Sequence, residues 1–152
     1  MELTTIKEQL EPKLNDACTS LIYQNALQPY LFIFEEGKIK TVKVTLDDEK
    51  KEAEVAQMHL MCSSDKVQAA ALLFDSYTKT GTPEEIKSVE GRNLKEIEGT
   101  IECILIFLYT REGTWCRTLQ YEKKDEQDYW FGDAGWEDVP KVEGRFANPF
   151  LK

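Results

Sequence analysis

His59 and Cys62 stand three residues apart in Met58-His59-Leu60-Met61-Cys62, a spacing that places both on one side of a helix. Together they could donate two metal ligands or form a thiolate–imidazole dyad. His59 is the only histidine in the chain, which excludes HExxH and any multi-histidine zinc site. A tetrahedral centre needs more ligands, and no matching pair stands elsewhere. A dyad on one helical turn also leaves little room for a third, orienting group. The expectation is a partly buried structural histidine, with no metal and no cofactor. No serine lies in GxSxG, and the glycines are spread singly at turns, without GxGxxG or a Walker-type loop.

Asp75 and Glu102 are the carboxylates whose setting could shift their acidity. Each interrupts an apolar strand expected to be central, Val67 to Thr78 for Asp75 and Ile97 to Thr110 for Glu102. A carboxylate there could act as acid or base at raised pKa. With Tyr77 and His59 they outline a candidate small-molecule pocket between sheet and helices. The plainer reading, which carries more weight, puts each at a strand end or against a cation such as Arg92 or Arg117. No motif specifies a reaction, so a non-enzymatic role is expected.

The C-terminal third has a different character. Tyr121, Tyr129, Trp130, Phe131 and Trp136 are interleaved with Glu122, Asp125, Glu126, Asp128, Asp133, Glu137 and Asp138. Across residues 121–138 seven acids face two lysines, a local balance of −5 within a whole-chain charge of −9. Rings give rigid contact area and carboxylates give steering and cation pairing, so Tyr121, Asp125, Glu126, Asp128, Tyr129, Trp130 and Trp136 form a candidate surface for a basic protein partner. The plainer alternative packs Trp130 and Phe131 under a loop and leaves the acids merely solvated. Small acidic immunity proteins and secretion chaperones, which neutralise basic partners, fit that description at the level of class. A homodimer through the sheet or a helix face is a further expectation. The overall acidity opposes general nucleic-acid or anionic-membrane binding.

These residues must be positioned by one domain, since 152 residues suit one core. The start of the chain lacks a basic segment followed by an apolar one, so no secretory signal is read. The longest apolar run, Cys103 to Tyr109, is far short of the roughly 18 residues of a membrane span. A cytoplasmic protein is expected, and its four cysteines (Cys18, Cys62, Cys103, Cys116) are read as buried free thiols.

Leu3, Ile6, Leu10, Leu14, Ala17 and Leu21 recur at helical spacing. Pro12 interrupts them, which predicts a helix that starts near Glu11, or kinks there, and covers about 12–27. Residues 30–46 read as a hairpin turning at Glu36-Gly37. Asp47 and Asp48 open a helix over about 48–63. Val67 to Thr78 loses alternation at its centre, so that strand should be covered on both faces. Thr82-Pro83-Glu84-Glu85 is a capping box for a short helix ending by Gly91. Ile97 to Thr110 and Trp115–Glu122 form a second hairpin whose loop, Arg111 to Thr114, fits two registers. A short strand covers Asp128–Phe131, and the chain reads as irregular from about 132.

The order α-β-β-α-β-(α)-β-β-(β) predicts an α+β domain over 1–152: one twisted, mainly antiparallel sheet of five or six strands, with helices mainly on one face. The order resembles profilin-like and PAS-like architectures, a likeness that implies no function.

Overall fold

The structure, a computed structural model, describes residues 2–79, 100–139 and 146–151. The short helix expected at 82–91, together with Arg92, lies outside them. Helix α1 spans Leu3–Gln24, strands β1 Tyr30–Glu35 and β2 Lys38–Lys43 follow, and then helix α2 covers Lys51–Met61. Strands β3 Val67–Lys79, β4 Thr100–Thr110, β5 Gly113–Asp125 and β6 Asp128–Val139 complete the order. All six strands join one antiparallel sheet in the order β2-β1-β3-β4-β5-β6. The α+β fold with a single sheet is therefore as the sequence predicts.

Helix α1 does not start at Pro12. It runs through the proline, which is solvent-exposed, because Ile6, Leu10, Leu14, Ala17 and Leu21 make one buried stripe along its whole length. Burial of that stripe outweighs the hydrogen bond that proline cannot donate. The helix stops at Gln24, short of the expected 27. Asn25 takes the left-handed conformation (φ 54°) and donates its N–H to the Leu21 carbonyl at 3.0 Å.

The helices lie on opposite faces of the sheet, not mainly on one. Phe32, Phe34, Ala69, Ala71, Leu73, Ile104, Ile106, Leu108 and Leu119 pack with the α1 stripe. Their sequence neighbours Leu31, Ile33, Ala70, Leu72, Phe74 and Tyr109 pack with Met58 of α2 and with Cys62, which caps its end. Strands β1, β3 and β4 are apolar on both faces, so each face needs a cover. Ala69, Ala70 and Ala71 are fully buried in β3, which has neighbours on both sides, as its lost alternation predicts.

The chain's last described segment helps α2 close its face. Phe146 stacks on Phe74 with ring centroids 4.9 Å apart, and Tyr109 donates from its hydroxyl to the Phe146 carbonyl at 3.0 Å. Asn148, 7% exposed, donates from Nδ2 to the carbonyls of Thr110 and Gly113, at 2.9 Å each. These bonds clamp the β4–β5 turn. Thr110 pairs with Gly113, so the loop is the two residues Arg111-Glu112. That register puts Trp115, Arg117, Leu119 and Tyr121 on the α1 face.

The segment expected to be irregular from 132 is instead the second half of β6. Its pairing with β5 shifts at Arg117/Leu119, where β6 carries an extra residue beside Gly135 (φ 75°). A bulge hides period-two alternation while keeping the strand paired. All four cysteines are free, with Cys62 and Cys103 buried and Cys18 and Cys116 half-buried. Among the described residues no helix is long and apolar enough to cross a membrane.

Candidate functional site

The candidate surface is the β5–β6 hairpin. Asp125 pairs with Asp128 across the turn Glu126-Gln127, so Asp125, Glu126 and Asp128 crowd the exposed tip. Gln127 takes a positive φ of 60° there, and the Asp125 carboxylate accepts the Glu126 N–H at 2.8 Å. Strand β6 is the last in the sheet order, with no strand on its outer side among the described residues.

Alternation along β6 sorts its aromatics. Tyr129, Phe131 and Trp136 turn toward the α1 face and are half-buried, as is Tyr121 of β5. Tyr121, Tyr129 and Phe131 form a ring cluster with centroids 6.1 to 6.4 Å apart. Trp130 points to the opposite side and stays 46% exposed. Its ring lies across Gly132, where a Cβ would come within 2.6 Å of it. The sequence-derived surface thus divides: Trp130 and the tip acids face solvent, whereas Tyr121, Tyr129 and Trp136 brace the hairpin.

Helix α1 and its capping residue Asn25 hold that brace at three heights. Lys7 places its ammonium 5.8 Å from the Trp115 ring and 5.6 Å from the Trp136 ring. Arg117 binds Glu11 through Nη1 and Asp133 through Nε (3.2 Å) and Nη2. Tyr129 donates its hydroxyl to Asn25 Oδ1 at 2.8 Å. The hydrogen bonds from Arg117 hold the Asp133 carboxyl below its usual range, and donating to Asp133 and Glu11 raises the guanidinium pKa further. Lys7, Glu11 and Asn25 escape sequence reasoning because they lie about a hundred residues from their partners. Arg117 carried one usable signal. It alternates with Trp115 and Leu119 on an apolar face, where a cation requires a carboxylate.

The second candidate set does not converge. Residues Tyr77 and Glu102 are register partners across β3 and β4, and Asp75 lies two residues before Tyr77 along β3. Burial, with Glu102 adding to it, raises the Asp75 carboxyl above its usual range, although residue 75 remains solvent-exposed. Arg117 is occupied by Glu11 and Asp133, not by these acids. His59 is exposed on α2, beyond the other face of the sheet, and not partly buried as its apolar neighbours suggest, because Met58 takes the inward position of that turn. A groove of about 540 Å³ does open between α1 and the sheet, but Lys13, Asp16, Gln24, Tyr30, Phe32 and Thr41 are among its lining, and Asp75, Glu102 and His59 are not.

No protein-family model matches this chain, and neither the curated proteins nor the solved structures contain a significant match.

Proposed function

We propose that this chain is a non-enzymatic, cytoplasmic protein-binding domain that presents the β5–β6 hairpin to a basic partner. One observation carries the reading: Trp130, 46% exposed on the edge strand, stands beside the exposed acids Asp125, Glu126 and Asp128. An exposed indole supplies contact area at low entropic cost, and the carboxylates steer a cationic surface toward it. The ring brace and the Arg117 bridges hold that surface on a rigid strand pair.

The test is affinity capture from the native host with the wild-type chain and two variants, Trp130→Ala and the triple change Asp125→Asn, Glu126→Gln, Asp128→Asn. The expected result is a basic protein retained by the wild type and lost from both variants. With a captured partner in hand, the triple variant should associate more slowly and with a flatter salt dependence. Retention of the same proteins by all three chains would remove the proposal.

The groove favours a second reading, a small-molecule site. Its volume falls within the usual range for ligand pockets, and Lys13 holds its ammonium 5.5 Å from the Phe32 ring in the lining. Ligand-observed NMR against a fragment library, repeated with Lys13→Ala and Asp16→Ala, tests it. No binder sensitive to either change would end that reading.

A further inference from the structure

The two outer strands of the sheet carry opposite charge. Strand β2, KIKTVK, holds Lys38, Lys40 and Lys43 and no acid, whereas β6, DYWFGDAGWEDV, holds Asp128, Asp133, Glu137 and Asp138 and no Lys or Arg. Lys40 is paired with Glu35 and Asp133 with Arg117, while Lys38, Lys43, Asp128, Glu137 and Asp138 face solvent. Among the described residues neither strand has a neighbour on its outer side. Each offers backbone N–H and C=O groups to an incoming strand. Two β2 edges repel each other, as do two β6 edges, and only β2 against β6 brings opposite charges together.

Strand direction permits that contact. Six strands alternate in direction, so β2 runs opposite to β6. A second copy in the same orientation therefore sets its β2 antiparallel beside β6, and the α1 faces stay on one side. Ile39 packs on the α1 face, so Lys38 and Lys40 alternate to the α2 face. Tyr129 and Phe131 likewise leave Asp128 and Trp130 on the α2 face. The continued sheet thus brings two lysines to the side that carries a free carboxylate and an exposed indole.

We propose that β2 of one copy adds to β6 of the next, making a second copy of this chain the basic partner of the acidic edge. The proposal rests on reading the hairpin as a docking surface and names its occupant. The contact is heterologous, so a free β6 remains after each addition and association is open-ended rather than a closed dimer.

Sedimentation equilibrium of the purified chain tests it at about 0.01 M salt, where charges act over about 30 Å, and at about 1 M, where they act over about 3 Å. The expected result is an average mass that climbs above 17.6 kDa with concentration at low salt and returns to the monomer at high salt. One variant carries Lys38→Glu, Lys40→Glu and Lys43→Glu; the other carries Asp128→Lys, Glu137→Lys and Asp138→Lys. Each alone should remain monomeric, and mixing them should restore association, because the reversed β6 then meets a reversed β2. Recovery on mixing also shows that both variants fold. A wild type that stays monomeric at low salt, or a mixture that fails to associate, overturns the proposal. If the hairpin still captures a basic host protein in that case, the docking surface stands and only its occupant is wrong.

Discussion

Arg117 of β5 grips Asp133 of β6, Nε to Oδ1 at 3.2 Å, and the same guanidinium reaches Glu11 on α1. One half-buried cation thereby ties the edge strand to the helix that covers the sheet. Arg117→Met should destabilise the fold by about 1 kcal/mol, a value kept low by the solvent exposure of both carboxylates. Asp133 adds a pH signature. Its folded pKa lies below the unfolded value of about 3.9, so the folded state binds fewer protons in that interval. The stabilisation is present above pH 4 and is lost as pH falls through the depressed folded value. Asp133→Asn should flatten the acid limb of a stability–pH profile measured by urea denaturation.

Leu73 is 1% exposed in β3 beneath α1. Leu73→Ala should cost about 2–5 kcal/mol in reversible denaturation. Phe107 is only half-buried, held among Phe74, Phe146 and Tyr109. Phe107→Ala should therefore cost less, about 2 kcal/mol. Equal losses would mean that the face under Phe146 is packed as tightly as the α1 face.

Asn148→Ala removes the donor shared by the Thr110 and Gly113 carbonyls. The expected loss is about 1–3 kcal/mol. Hydrogen exchange should show the β4–β5 turn opening faster while α1 stays protected. Unchanged exchange at the turn would contradict the clamp.

Gly132→Ala places a methyl group where the Trp130 ring now lies, 2.6 Å from its edge. The far end of an exposed side chain can swing away, so stability should change by less than about 1 kcal/mol. Tryptophan fluorescence should shift, and the shift should vanish when Gly132→Ala is combined with Trp130→Phe. A shift that persists in the double variant would place its source at Trp115 or Trp136.

Local pattern made much of this protein legible from sequence. The α1 stripe from Ile6 to Leu21, the Glu36-Gly37 turn and the doubly covered β3 are written in residue spacing, because apolar periodicity and turn chemistry act over a few neighbours. The concentration of acids and rings at 121–138 was visible for the same reason. Long-range packing decided the rest. Pro12 sits inside α1 because the stripe continues past it, and β6 extends to Val139 because a bulge keeps it paired after alternation fails. The helices take opposite faces because β1, β3 and β4 are apolar on both. Whether Tyr129 or Trp130 meets solvent depended on which face of β6 lies under α1, and that face is fixed by Glu11, Asn25 and Arg117, partners about a hundred residues apart in the chain. Sequence spacing sets which side chains share a face. Only the assembled sheet decides which face is covered and which strands are left at its edges.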